Sequence, residues 1–179
     1  TINHIARRDR MDLIIMGTTG TGGWAKKWFG SVSTKVAKDA YCPMLFIPPN
    51  ARFKGFNNLL FANSQDYTDE STRLIIQQLC TKFDAYAHVV HIEEKEQEQY
   101  QFNRLQTTVM EGETRFTETS ISSSSVVEGL TQYIERNEID LTVFITTHRG
   151  ILEDFFHKSM TKDMLMKTEI PLMVIHLDV

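Results

Sequence analysis

The 179-residue chain is 41% hydrophobic and 23% charged, with a formal net charge of −4. That balance suits a folded domain with a sizeable core, and it supplies no basic stripe to displace counterions from nucleic acid. Cys42 and Cys80 are far apart without CxxC spacing, which argues against a disulfide framework or zinc site and for a reducing, cytoplasmic setting; no apolar run approaches the ~20 residues of a membrane helix.

Residues 1–10 read as the tail of a helix, with Ile2, Ile5 and Ala6 followed by Arg7 and Arg8 near an end that favours cations. Asp12-Leu13-Ile14-Ile15-Met16 is a short apolar run that stops at Gly17, as a buried parallel strand does. A glycine-rich loop follows, and Val32, Val36 and Ala37 predict a helix at about 31–40. Pro43 then opens a second strand, Met44-Leu45-Phe46-Ile47, closed by Pro48 and Pro49.

The pattern returns 128 residues later, with Asp12-Leu13 falling on Asp140-Leu141. The same offset sets Thr18-Thr19 on Thr146-Thr147, Gly22 on Gly150, Ser31 on Ser159 and Pro43 on Pro171. It also sets 44–47 on Leu172-Met173-Val174-Ile175. The second copy has further elements before its match. Residues 58–62 read as a strand, 68–82 as a helix with Leu74, Ile75, Gln78, Leu79 and Phe83 on one face, and 86–92 as a strand. Residues 94–110 read as a polar helix and 115–121 as a strand. Ser125 with Glu128 forms a capping box for a helix at 126–137 that turns Val126, Leu130, Tyr133 and Ile134 inward. The β-α alternation from residue 57 implies an α/β fold, a parallel sheet with helices on both faces. Residues 1–50 are then the closing part of a first domain and 51–179 a complete second one, so the chain is expected to begin within a domain.

The local signal with chemistry in it is Gly17-Thr18-Thr19-Gly20, followed after nine residues by Gly30-Ser31. Gly17 leaves the strand at the carboxyl edge, where open α/β sheets bind ligands. Glycines there let backbone N–H groups approach an anion. Gly30-Ser31 opens the next helix, whose free N–H groups favour phosphate.

Gly-x2-Gly-x9-Gly-Ser, after Asp-Leu-Ile-Ile-Met and before Cys-Pro-Met-Leu, resembles the ATP-binding signature of universal stress proteins, here of a tandem type truncated at the N-terminus. The resemblance implies a doubly wound, flavodoxin-like or adenine-nucleotide-hydrolase-like sheet of strand order 3-2-1-4-5. It implies that Gly17, Gly20, Gly30 and Ser31 contact ATP or another adenine nucleotide, with Met16, Thr18 and Val32 adjacent. In the family the base is held largely by the first two strands, which this chain lacks for its first domain. In the second copy Ile145, His148 and Lys158 replace the glycines, only Ser159 survives, and Asn63 stands where the family has Asp, so no nucleotide is expected there. The resemblance further implies that 44–47 pairs antiparallel with 172–175 about a pseudo-twofold. The strand at 12–16 is then expected outside 44–47, with its far edge covered by a second copy in a homo-oligomer.

Other candidates read as structural. His88 and His91 point to opposite faces of one strand, and His148 and His157 with Glu153 and Asp154 lack metal-ligand spacing. Trp24, Trp28 and Phe29 suit packing, Lys26 and Lys27 solvent, and Ser122 to Ser125 a capping loop. Nothing assembles a catalytic set. The expected function is a nucleotide-responsive stress regulator, not an enzyme, with the second domain as scaffold. A nucleotide-independent interaction module and a slow ATP-hydrolysing enzyme are the alternatives.

Overall fold

The computed structural model describes residues 1–18, 31–38, 40–63, 70–94, 101–111, 114–146 and 169–177. In chain order the elements are α1 (Ile2–Arg8), β1 (Ile14–Gly17), α2 (Ser31–Lys38), β2 (Met44–Ile47), β3 (Asn58–Asn63) and α3 (Glu70–Phe83). Then come β4 (Tyr86–Glu94), β5 (Gln101–Glu111), β6 (Thr114–Ser123), α4 (Val126–Arg136), β7 (Leu141–Thr146) and β8 (Leu172–His176). By packing they fall into two compact units: Thr1–Arg52 with Phe144–Val179, and Phe53–Val143. The division at residue 50 is one of sequence repeat, a different criterion, and stays a proposal.

In the first unit β1 runs parallel to β2, and β2 pairs antiparallel with β8. The strand order there is β1-β2-β8-β7. The pairing expected between 44–47 and 172–175 is thus made within the chain, with β1 on the outer side. Met44, Phe46 and Leu172 are fully buried, which is why these strands read as unbroken apolar runs. α1 is capped by Thr1, which accepts from His4 N at 3.4 Å. Two bonds tie the α1–β1 corner to the α2–β2 segment: Asn3 Nδ2 donates to Val36 O at 2.9 Å, and the Tyr41 hydroxyl to Met11 O at 2.8 Å.

In the second unit the order is β7-β3-β4-β6-β5. β3 with β4 and β4 with β6 are parallel, while β5 with β6 is antiparallel. Leu59, Leu60 and Phe61 are consecutive and all buried, so both faces of β3 are covered. α4 starts as its sequence dictates, with Ser125 Oγ accepting from Glu128 N at 3.2 Å. Leu130, Tyr133 and Ile134 turn inward. Gly129 lets α4 approach the sheet: a Cβ there would come within 2.9 Å of Ile92 Cδ1 and 3.1 Å of Ser123 Cβ.

The α/β class with a mostly parallel sheet holds, and the strand order departs from 3-2-1-4-5 in two details. β2 lies antiparallel beside β8, and β5 is added outside β6. The second detail corrects the helix expected at 94–110: of those residues, 101–110 belong to strand β5. The charged run Glu93-Glu94-Lys95-Glu96 suggested helix, but Thr107, Thr108 and Val109 are β-branched and favour strand, and a polar strand suits a sheet edge. In α3 the buried residues are Ile76 and Cys80, while Leu74 is exposed; the inward stripe is rotated from the one the sequence suggested. Cys42 and Cys80 are free, buried thiols, and burial pushes Cys80 up to about 11. No described helix is long and apolar enough to cross a membrane.

Candidate functional site

Met16, Gly17 and Thr18 come together because they end β1, where the chain leaves the sheet at its carboxyl edge. Met16 lies beside Phe46 and Gly17 beside Ile47 in the parallel ladder. Thr18 N extends that ladder by donating to Ile47 O at 3.1 Å, and this fixes the exit direction of the loop.

Gly17 is not required by its own surroundings. Its φ lies outside the left-handed region, and nothing lies within 4 Å of the place a Cβ would take. Glycine is therefore demanded neither by backbone conformation nor by packing among the described residues. Next to it, Thr18 is buried, and its Oγ1 has no hydrogen-bond partner among the described residues. A buried hydroxyl without a partner carries a desolvation cost that a bound polar group would offset.

Ser31 is the first residue of α2, and that helix has no acidic residue in its first turn. Its N-terminal dipole is therefore not neutralised locally, which favours an anion. Ser33, Val36 and Ala37 are buried along α2, and Val32 is exposed. Gly20 and Gly30 lie outside the described residues, as do Lys26, Lys27, Trp24, Trp28 and Phe29. So the structure places Met16, Gly17 and Thr18 together at one strand end and Ser31 with Val32 at one helix start. This donor set fits the phosphate end of a nucleotide: open backbone approach, a spare hydroxyl and a helix N-terminus.

In the repeat, Ile145 takes the place of Gly17 near the end of β7 and is half-buried. Its branched Cβ occupies the position that is open in the first copy. His148, His157, Lys158 and Ser159 lie outside the described residues.

Two polar arrangements escaped the sequence reading. Asp140 Oδ2 accepts from the backbone N–H groups of Asn57 at 2.8 Å and Asn58 at 3.0 Å. The second is a network at the start of β4. The hydroxyls of Tyr86 and Thr117 are hydrogen-bonded, and His88 lies 3.0 Å from the Tyr133 hydroxyl and 3.4 Å from Asn58 Oδ1. Burial pushes His88 down to about 4, so it is neutral here. The only advance signals were the repeat of Asp12 at Asp140 and the period-2 spacing of Tyr86 and His88.

Residues 1–48 match the sequence model of the Universal stress protein family. Universal stress protein MJ0531 of Methanocaldococcus jannaschii is 44% identical over 46 residues, which are 26% of this chain and 27% of that protein. A solved universal stress protein from Archaeoglobus fulgidus superposes with a TM-score of 0.63 at 14% identity, over 97% of this chain and 64% of that one. A functionally unknown protein, PA1789 from Pseudomonas aeruginosa, gives 0.64 at 15% identity, over 99% of this chain and 67% of that one. The chain thus spans about a quarter of the curated relative it matches and about two thirds of these solved chains. At such identities the structural likeness is one of fold. Residues 1–48 are therefore similar in sequence to the Universal stress protein family, and the chain shares the fold of the solved universal stress protein.

Proposed function

We propose that this chain is a regulatory protein of the universal stress type, responsive to ATP or another adenine nucleotide bound at the carboxyl end of β1. Gly17, Gly20, Gly30 and Ser31 contact the phosphates and ribose, with Met16, Thr18 and Val32 around them. Residues 51–179 act as scaffold without a nucleotide of their own, Ile145 obstructing the approach. The proposed role is regulatory and not catalytic.

One observation carries this reading. A glycine that neither its conformation nor packing among the described residues requires stands at the strand exit, with no described residue near its Cβ position, beside a buried hydroxyl without a described partner. Close approach of a ligand is a physical reason for a missing side chain there. The family match over residues 1–48 supports it independently.

Titration calorimetry with ATP tests it. One site per chain is expected, and Gly17→Val should remove binding while the circular dichroism spectrum stays unchanged. At a ligand concentration a hundredfold above Kd, binding should stabilise the chain by ~2.7 kcal/mol. A folded Gly17→Val chain with unchanged affinity overturns the site. Two sites per chain overturn the assignment of the repeat as nucleotide-free.

A further inference from the structure

The carboxyl end of β4 carries a histidine and a glutamate two residues apart. Strand alternation puts His91 and Glu93 on one face of the sheet, the face opposite to that of His88. In the parallel ladder His91 lies across from Ser120 of β6, and Glu93 lies across from Ser122. The Glu93 carboxylate does not stay level with Ser122. Its Oε1 accepts from Ser120 Oγ at 3.1 Å, two residues back along β6. The carboxylate is thus drawn to the residue that stands directly across from His91. Neighbouring strands lie about 4.8 Å apart, so the imidazole and the carboxylate flank one hydroxyl.

Glu93 is exposed, while His91 and Ser120 are half-buried, so the group opens to solvent from one side. It stands at the carboxyl end of parallel strands, where open α/β sheets bind ligands. An imidazole nitrogen and a carboxylate oxygen are ligands for divalent ions of the first transition row. At i and i+2 on one strand they can chelate such an ion from one side. Ser120 then has the place of the outer partner that holds a ligating carboxylate in position. Among the described residues no three of His, Cys, Asp and Glu come together to hold a metal. The chelate therefore has two strong protein ligands and leaves its other positions to water or a further ligand.

We propose that His91 and Glu93 form a binding site for one divalent transition-metal ion of the Zn²⁺ type, with Ser120 positioning Glu93. A site of two ligands exchanges its ion with solution, unlike the closed four-ligand sites that hold structural zinc. It also discriminates against Mg²⁺, which takes oxygen ligands and gives up its water reluctantly. The proposal does not rest on the nucleotide reading, and its test contains no nucleotide.

The probe is Zn²⁺ alone, titrated calorimetrically into the 179-residue chain in a buffer that does not bind metal. Saturable binding is expected. Because Glu93 is exposed, Glu93→Gln should keep the circular dichroism spectrum of the parent and lose this binding. His91→Gln should lose it as well. Ser120→Ala keeps both ligands and should weaken binding about tenfold, as loss of an outer partner does. His4→Ala, which alters an exposed histidine on α1, should leave the affinity unchanged. A tenfold excess of Mg²⁺ should not displace the Zn²⁺. The proposal is overturned by no saturable binding to the parent, or by unchanged affinity in a folded Glu93→Gln or His91→Gln chain. Displacement by Mg²⁺ also overturns it, because general attraction of cations to acidic residues would then suffice.

Discussion

Leu45 lies directly opposite Met173 in the antiparallel β2–β8 pair, and the two are counterparts in the repeat. Met44 faces Val174, the counterpart of Phe46, and Phe46 faces Leu172, the counterpart of Met44. A pseudo-twofold axis therefore passes between Leu45 and Met173. Both side chains are buried, so the axis runs through packed core. Exchanging the two residues (L45M with M173L) conserves volume and should change stability by less than about 1.5 kcal/mol. Leu45→Ala should cost about 2–4 kcal/mol through the cavity it leaves. Urea denaturation measures both, and an Ala variant as stable as the parent would remove Leu45 from the core.

Gly17 gives a prediction of the opposite sign. With an ordinary φ and no described residue within 4 Å of the Cβ position, Gly17→Ala meets no clash among the described residues. Alanine reduces the freedom of the unfolded chain, which stabilises by about 0.4–1 kcal/mol at an unstrained site. The ligand-free melting temperature should therefore hold or rise. A fall of several degrees would show that glycine is needed for the fold, and the case for ligand approach would go with it.

Much of the fold was legible because it follows from two periodicities and one repeat. The runs at 14–17, 44–47 and 172–175 are unbroken and apolar; 44–46 and 172–175 are buried on both faces, as such runs require, whereas in 14–17 only Ile14 is buried and Ile15 is exposed. The β2–β8 pairing was implied by the family resemblance, and the repeat identified which two strands were equivalent about the pseudo-twofold. β5 was not legible, since its sequence, Gln101 to Glu111, has no clean alternation of apolar and polar residues and stands at the sheet edge. Nor was the rotation of α3, where Leu74, Ile75 and Ile76 are contiguous and any of them could lead the stripe. At the site, composition indicated the glycines, but the job of Asp140 appears only when the starts of β3 and β7 are seen side by side.

Asp12 and Asp140 share a sequence context and differ in work done. Asp140→Ala leaves the N–H groups of Asn57 and Asn58 without their acceptor and should cost about 1.5–3 kcal/mol, the range for bonds to a charged group. Asp12→Ala removes an exposed carboxylate with no described hydrogen bond and should lie within about 0.5 kcal/mol of the parent. Chemical denaturation of the two variants side by side checks this, and equal costs would contradict the asymmetry.

His88 should make stability depend on pH in a defined window. Asn58 Nδ2 donates to Glu138 O at 3.3 Å, which turns Asn58 Oδ1 toward His88 Nε2 at 3.4 Å. That oxygen only accepts, so we assign the proton of the neutral ring to Nε2, and Nδ1 accepts from the Tyr133 hydroxyl at 3.0 Å. Protonating Nδ1 would add a charge in a buried setting and put a donor against that hydroxyl's hydrogen. Burial accordingly lowers His88 from 6.5 to about 4 in the folded chain. Above pH 6.5 the ring is neutral in both states and adds no slope. As pH falls from 6.5 toward 4, the unfolded chain binds a proton that the folded chain refuses, so stability is lost across that interval. A full shift corresponds to about 1.4 kcal/mol per pH unit, and partial solvent access at the ring leaves a loss on the order of 2 kcal/mol. Urea midpoints between pH 5 and pH 6.5, above most carboxylate titration, should fall for the parent and stay nearly level for His88→Gln. Parallel curves for the two proteins would mean that His88 titrates normally in the folded chain, and the buried network around Tyr133 would have to be redrawn.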